Sequence, residues 1–245
     1  MSAHLLKYTL HLGDNSLILG HRNSEWTGHG PILEQDIALS NVALDLIGQA
    51  RNFYQLAASL QGNNITEDDL AYLRGPSDFL NCLLVEQENG HWGTTILKLF
   101  FCSVYSCALY EKLASSNNEQ LSAVAAKSLK EATYHKRWSS EWVIRLGQGT
   151  EESHSKMQQA IEQLWMYTAE LYTPAEYEID FIGDALGLKM ECEAVTNQIL
   201  RQAGLSAPAG IEMKFGGKQG KHSQHLVNLL EEMQFLQRSF PGTQW

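Results

Sequence analysis

Residues 32–61 read ILEQDIALSNVALDLIGQARNFYQLAASLQ, and this stretch decides the fold. Its apolar residues recur at helical spacing and form one stripe: Leu39, Val42, Ala43, Leu46, Ala50, Phe53, Ala57 and Leu60. Further apolar residues fall on the other faces: Ile37, Leu44, Ile47 and Tyr54. A helix that is apolar nearly all round is buried rather than lying on a surface. The stretch therefore predicts a central, buried helix.

The rest of the chain repeats this helical periodicity, and the alternation typical of strands is hard to find. The five prolines fall between the helical stretches, where they can end helices. Long helices are predicted at about 32–61, 77–114, 118–147 and 150–172, after a first helix at about 3–20. Shorter helices are predicted at about 66–73, 175–186, 190–203 and 222–239. Short links favour antiparallel neighbours, so we predict an all-α four-helix bundle with additional peripheral helices in a single domain, 1–245.

Charge and cysteine content narrow the class of protein. A net charge of −10 and a pI of about 5.3 disfavour nucleic-acid binding, because an acidic surface repels phosphates. The four cysteines lie in apolar stretches without C-x-x-C pairing, which indicates buried thiols in a reducing compartment. We found no signal peptide and no apolar run long enough for a membrane span, so we expect a cytoplasmic protein. Few charged residues, 19%, suggest a partner surface, although a compact monomer fits equally well.

A four-helix bundle raises the question of a di-iron centre. Such a centre takes one Glu from each of two helices and Glu-x-x-His from each of the other two. Glu-x-x-His occurs here at Glu88–His91 and at Glu151–His154. The second pair follows Thr150 in a first helical turn, where acidic residues cap the helix. The first pair lies on a face with Asn81, Thr95 and Lys98, away from the apolar stripe, and suggests solvent or a partner.

The positions predicted to point inward carry an incomplete ligand set. Glu86 is followed by Asn89 where histidine is required, and His135 is preceded by Ala132 where glutamate is required. The remaining candidate positions are Asp45, Glu131, Glu162 and Trp165. We therefore expect no metal, no cofactor-binding residue and no catalytic residue in this chain. His135 near Glu86 or Asp45 would satisfy buried polar groups that are costly when unpaired.

Two further features near the C-terminus have ordinary explanations. His222-x-x-His225 could bind a metal, but no third ligand is evident, and a helix start or a partner contact explains it better. The run Gly216–Lys221 lacks the spacing and the preceding strand of a P-loop. We interpret it as a solvated loop, with Lys218 and Lys221 as candidates for contact with an anionic ligand.

Several long segments, in the same order, resemble the C subunits of the phenylacetyl-CoA epoxidases (phenylacetate-CoA oxygenases) of bacterial aromatic degradation. They are YTLHLGDNSLILGHRNSEWTGHGPILEQDIALSNVALDLIGQARNF, LLVEQENGHWGTTI, AAKSLKEATYHKRWSSEWVIRLGQGTEES, KMQQAIEQLWMYTAELY and GGKQGKHSQHLVNLLEEMQFLQRSFPGTQW. The resemblance covers nearly the whole chain and is weakest at about 174–210.

This resemblance implies a ferritin-like fold and a role in a multicomponent monooxygenase. Such a complex forms an epoxide on the ring of phenylacetyl-CoA, using O₂ and electrons from an NADPH-dependent reductase subunit. The di-iron centre would lie in the catalytic, or A, subunit. The C subunit, without a working metal site, would hold that catalytic subunit in its active form. Nothing in the composition or spacing of this chain itself points to phenylacetyl-CoA.

We therefore predict a structural subunit that is a homo-oligomer alone and a hetero-oligomer with the catalytic di-iron subunit. One alternative is an active di-iron oxidase that uses Asp45, Glu86, Glu131 and His135 as unusual ligands. Another is a ferritin-like storage or metal-binding module without a redox role. The asparagine and alanine at the ligand spacing argue against both alternatives.

Overall fold

The computed structural model describes residues 2–243 and contains only helices and connecting segments over that range. Two long helices, α1 (Ser2–Ser24) and α2 (Leu33–Gln61), follow each other through a short loop and pack along their length as a hairpin. A second hairpin pairs α5 (Trp92–Leu113) with α6 (Glu119–Gly147). The two hairpins form a ferritin-like four-helix bundle, as predicted for the fold class.

A crossover joins the hairpins and contains short helices only. It carries α3 (Glu67–Tyr72), a 3₁₀ turn at Pro76–Asp78 and α4 (Leu83–Glu86). Thr66 caps α3 in a reciprocal capping box with Asp69. After the bundle come α7 (Glu151–Leu164), a 3₁₀ turn at Trp165–Tyr167, α8 (Ala169–Tyr172), α9 (Ile179–Ile182), α10 (Ala185–Gln202), α11 (Gln224–Met233) and α12 (Phe235–Ser239).

The predicted helix at 77–114 is wrong in its first half. Cys82 and Gln87 have extended backbones on either side of α4, and Gly90 takes a positive φ of 57° that ends helical continuity. His91 then caps α5 by accepting from the Thr94 N–H. This segment is irregular because its polar side chains, such as Asn89, bond to distant parts of the chain.

The predicted helix at 150–172 is also interrupted, and it is not one of the four paired helices. It is regular only to Leu164, where the 3₁₀ turn begins, and α7 packs outside the second hairpin against α5 and α6. The N-terminal helix, α1, takes the fourth place in the bundle. By contrast, the predicted bounds 32–61 and 118–147 agree with α2 and α6 to within a residue.

The central helix by burial is α5, not α2. Nearly every α5 side chain is buried, and its buried apolar residues include Ile96, Phe100, Val104 and Leu113. Among residues 2–243, α5 alone has the length and mean hydropathy of a membrane span, although it contains Lys98. However, 89% of that apolar window is buried inside the protein, as expected for a core helix. All four cysteines are buried free thiols, as predicted.

Candidate functional site

Four of the polar side chains lie together at the seam between α2 and α6. Asp45 and Gln49 are one turn apart on α2, and Glu131 and His135 are one turn apart on α6. His135 Nε2 lies 3.0 Å from Asp45 Oδ2, and Gln49 Nε2 donates to Glu131 Oε2 at 2.9 Å. The His135 side chain is 2% exposed and that of Asp45 37% exposed, so the cluster reaches from the core to the surface.

At this seam, the surroundings of Glu131 on balance disfavour its ionisation. Burial raises the pKa of Glu131, and the neighbouring charge of Asp45 raises it further. The Gln49 hydrogen bond and the His135 ring act in the opposite direction. The cluster is thus internally paired: the two residues of α2 each satisfy one residue of α6. Of the two partners suggested for His135, the structure selects Asp45.

The interior of the bundle offers no ligand set for a di-iron centre. A small cavity of about 30 Å³ lies among α1, α2 and α5, where facing helices would hold such a centre. Its lining is apolar or hydroxyl-bearing, with one amide: Leu12, Asn15, Ser16, Leu19, Leu46, Val85, Cys102, Tyr105, Ser106, Leu109, Tyr110 and Leu171. Over residues 2–243, no three His, Cys, Asp or Glu side chains are grouped to hold a metal ion. The residues present do not fit a di-iron group.

Glu86 belongs to a different cluster and does not face the bundle interior as a ligand. It is fully buried on α4, where it accepts from Asn81 Nδ2 at 2.9 Å and from the Ser223 N–H at 2.7 Å. His222 Nδ1 lies 2.7 Å from the same carboxylate. The di-iron oxidase alternative requires Glu86 to lie beside Asp45, Glu131 and His135. The structure does not bring these four residues together, because Glu86 binds the C-terminal segment instead.

Asn89 is likewise a structural residue of the crossover. Its amide nitrogen donates to the Arg22 carbonyl and to Glu25, and its amide oxygen accepts from Lys98 Nζ at 3.1 Å. The Glu86–Asn89 spacing therefore does not represent a broken Glu-x-x-His pair on one helix. Glu86 is the last residue of α4, whereas Asn89 lies in the irregular stretch between α4 and α5.

The remaining predicted positions do not point into a common site. Ala132 is buried on α6, whereas Glu162 is exposed on α7 and was wrongly placed inward. Trp165 packs edge-to-face against Phe101, with ring centroids 5.9 Å apart. The capping role predicted for Glu151 is consistent with its exposed position in the first turn of α7, after the Thr150 cap.

A buried network that was not predicted from the sequence surrounds the C-terminal segment 216–223. Glu170 accepts from the Leu83 N–H at 2.6 Å and from the Gly216 N–H at 2.7 Å. Glu178 accepts from Lys218 Nζ at 2.8 Å and lies 3.4 Å from His11 Nε2. Burial lowers the pKa of His11, although the Glu178 charge opposes this. Lys218 is buried and is not the solvated residue that we predicted, whereas Lys221 is exposed.

Only one sequence signal could have revealed this network. The Gly216-Gly217 pair permits a backbone approach that a side chain would prevent, since a Cβ on Gly217 would overlap the Asn81 carbonyl oxygen. Gly216 also has a φ of 144°, which favours glycine. The glycines before Lys218 thus mark a tightly packed segment rather than a flexible loop.

Comparison with known proteins gives two matches over essentially the whole chain. The family model described as "Phenylacetic acid catabolic protein" matches residues 1–245. The chain is also 46% identical to the C subunit of the 1,2-phenylacetyl-CoA epoxidase of Escherichia coli (strain K12), over 98% of this chain and 99% of that protein.

Proposed function

Since the chain belongs to the family of phenylacetic acid catabolic proteins, we propose that it is the structural, non-catalytic C subunit of a cytoplasmic 1,2-phenylacetyl-CoA epoxidase. In this role it binds the catalytic di-iron subunit of the complex and holds it in its folded, active form. The oxygen chemistry takes place in that catalytic subunit, and a reductase subunit supplies the electrons. This chain carries no cofactor of its own and associates with itself when the catalytic subunit is missing.

The composition of the bundle interior is the observation that supports a non-catalytic role. The side chains around the central cavity are apolar, amide, hydroxyl or thiol groups, with no carboxylate or imidazole among them. Burial raises the pKa of Cys102 and of Tyr110 to about 12, and that of Tyr105 as well, so these groups stay protonated and are poor ligands for iron. The one inward histidine of α6, His135, is already paired with Asp45 at the seam. A bundle of this kind supplies shape and apolar surface rather than a reaction centre.

A surface stripe on α2 supports a partner interface. Ile32, Leu33, Ile37 and Leu44 are between 51% and 71% exposed, and the last three recur at intervals of four and seven residues on one side of the helix. Gly48 continues this stripe, and a Cβ there would meet open space, so another helix can approach closely. We call these four apolar residues and Gly48 the α2 stripe, and we propose that the catalytic subunit binds over it.

Reconstitution tests this function directly. The catalytic subunit would be expressed with and without this chain, and each product examined by size-exclusion chromatography, iron analysis and phenylacetyl-CoA epoxidation with the reductase. We expect a stable complex, iron only in the catalytic subunit, and loss of its soluble, active form when this chain is omitted. Close to two irons in each copy of this chain, or full epoxidation activity without it, would refute the proposal.

A further inference from the structure

Four of the six tryptophans form one continuous chain of rings. Trp26, in the loop between α1 and α2, meets Trp92 at the start of α5 edge-to-face, with ring centroids 5.1 Å apart. Trp92 meets Trp138 of α6 edge-to-face at 6.5 Å, and Trp138 meets Trp142, one turn along α6, at 6.4 Å. Rings at such separations are in contact. We call these four side chains the tryptophan chain.

The tryptophan chain reaches the surface at both ends. Trp26 and Trp142 are half-buried, whereas Trp138, between them, is only 9% exposed. Indole gives up an electron more readily than the other aromatic side chains, and electrons pass rapidly between aromatic rings in contact. The tryptophan chain therefore offers a path for single electrons through the protein, from the loop before α2 to the outer face of α6.

A positive charge lies at the α6 end of this path. The Arg145 guanidinium carbon is 5.3 Å from the centroid of the Trp142 ring. A cation over an indole face is attracted to the electrons of the ring, so removing an electron from Trp142 loses this attraction. An electron vacancy created at Trp142 is therefore driven towards Trp138 and the interior of the protein.

The opposite end of the path stabilises a positive charge. Trp26 Nε1 donates to Thr95 Oγ1 at 2.8 Å, and that hydroxyl donates in turn to the Asn89 carbonyl. An indole that has lost an electron is a stronger N–H donor, so this hydrogen bond strengthens when Trp26 is oxidised. Trp92 Nε1, by contrast, is buried and forms no hydrogen bond to any residue in 2–243. Of these two indoles, Trp26 is thus the one at which the vacancy comes to rest.

From these features we propose that the tryptophan chain is a one-electron relay. It moves an electron from Trp26 through Trp92 and Trp138 to Trp142, and from there to an oxidant at the outer face of α6. The oxidant is a strong one-electron acceptor such as an oxygen-derived radical; a hydroxyl radical that takes up the electron becomes hydroxide. Trp26 is left as a radical cation that donates its N–H to Thr95. The relay is independent of the proposed function, because it needs neither the catalytic subunit nor its iron.

A ruthenium photosensitiser attached beside Trp142 tests the relay in the full chain. Glu141→Cys supplies the attachment point, because Glu141 is exposed and all four native cysteines are buried. Illumination in the presence of a cobalt(III) quencher then generates ruthenium(III), a one-electron oxidant, at this position alone. Peptide mapping by mass spectrometry in aerated buffer locates the oxidised tryptophan. We expect most of the oxidation at Trp26.

Trp92→Phe in the labelled chain interrupts the relay, since phenylalanine keeps an aromatic ring but gives up an electron far less readily. We expect most of the oxidation at Trp26 to be lost and oxidation at Trp142 to rise. Trp138→Phe interrupts the relay at a second place and should have the same effect. Trp165→Phe is the matched control, because Trp165 lies outside the tryptophan chain, and it should leave the oxidation of Trp26 unchanged.

Three results would overturn the proposal. The first is oxidation confined to Trp142 in the labelled chain that keeps all its tryptophans. The second is unchanged oxidation of Trp26 in a folded Trp92→Phe or Trp138→Phe chain. The third is a loss of Trp26 oxidation in Trp165→Phe as large as in Trp92→Phe. A failed reconstitution of the epoxidase would leave all of these measurements unaffected.

Discussion

Lys98 is a buried ammonium group that has no carboxylate within ion-pairing distance among residues 2–243. It lies in the second turn of the core helix α5 and donates to the Gln87 carbonyl and to the Asn89 amide oxygen. Burial lowers its pKa to about 7, and the Arg22 charge acts in the same direction, while Glu25 opposes it. The structure thus holds a lysine that loses its charge near neutral pH.

Lys98 makes the stability of the protein depend on pH in a defined direction. Its pKa is about 7 in the folded chain and about 10.4 when unfolded, so between these values the unfolded state binds more protons. The free energy of unfolding should therefore rise from pH 7 to pH 9. Urea denaturation at pH 7, 8 and 9 measures this slope, which Lys98→Met should flatten.

Lys221→Met provides the matched control for that slope, because Lys221 is an exposed lysine. It should leave the pH dependence as it is in the wild type. Equal slopes in the Lys98→Met variant and the wild type would show that Lys98 stays charged in the folded protein.

The burial and pairing of a single residue could be predicted from the sequence only where the local apolar pattern shows which way its side chain points. The pairing of His135 with a carboxylate of another helix followed from its inward position among the apolar residues of α6. Lys98 did not follow, because a lysine among polar neighbours suggests an exposed face. Its burial depends on Gln87 and Asn89, which reach it only because the chain before α5 is not helical.

At the scale of elements, the segment 216–223 is held to the bundle by acidic side chains. Glu86 and Glu170 accept from its backbone, and Glu178 pairs with Lys218. His222 adds a contact to Glu86 and a second one, of 2.8 Å, from Nε2 to the Phe79 carbonyl. The hydrogen bonds to Glu86 and Phe79 raise the pKa of His222 against the effect of burial.

The anchoring histidine gives an element-scale prediction. The pKa of His222 is higher in the folded protein than in the unfolded chain. Its contribution to the free energy of unfolding is therefore fully present below about pH 6.5 and is lost as the pH rises through the folded pKa. His222→Ala should cost about 2–3 kcal/mol at pH 5.5, because it leaves the buried Glu86 without this partner, and less at pH 9. Guanidinium unfolding at the two pH values measures the difference.

His225→Ala is the control, since His225 pairs with Glu88 and both side chains are substantially exposed. Exposed pairs contribute little, so its cost should stay within about 0.5 kcal/mol. A His222→Ala variant as stable as His225→Ala at pH 5.5 would contradict the anchoring role.

The predicted element boundaries were right where periodicity and caps agree. The Asn118 cap and the apolar stripe fix α6, and the glycine at position 62 ends α2. Before α5 they conflict, since the apolar run continues while Asn89 donates to the Arg22 carbonyl and to Glu25, more than 60 residues earlier in the chain. No local pattern reveals such distant partners, so the predicted helix continued across the break.

The whole molecule presents the α2 stripe as its proposed partner surface. Leu44→Glu should weaken association with the catalytic subunit at least tenfold, because a carboxylate placed within an apolar interface is desolvated. The fold should be unaffected, since Leu44 is 66% exposed. Size-exclusion chromatography and calorimetry with the purified partner measure the effect.

Leu236→Glu is a matched substitution, as Leu236 on α12 is also an exposed leucine. This variant should bind the catalytic subunit normally. Equal binding by Leu44→Glu and Leu236→Glu would place the interface elsewhere.

Which helices form the bundle could be predicted only in part. The run of consecutive long helices suggested a bundle, and the bundle exists, but its fourth member is α1 and not the chain after Thr150. The polar residues His11, Asp14 and Asn15 give the sequence of α1 no continuous apolar run. In the structure His11 and Asp14 are fully buried, and Asp14 pairs with Arg74 of the crossover and with the Tyr54 phenol. The burial of Asp14 depends on partners from the crossover and from α2, and the sequence of α1 alone does not show them.

The order in which the ribosome releases the chain gives the segment 216–223 a further consequence. Glu86 is made 136 residues before His222, and Glu178 is made 40 residues before Lys218. During translation these carboxylates lack their partners until residues 216–223 have been synthesised. This part of the core is therefore the last to be completed. A product of premature termination before Gly216 would leave Glu86, Glu170 and Glu178 without the partners that this segment supplies, which exposes the incomplete core to proteolysis before the chain could join the complex.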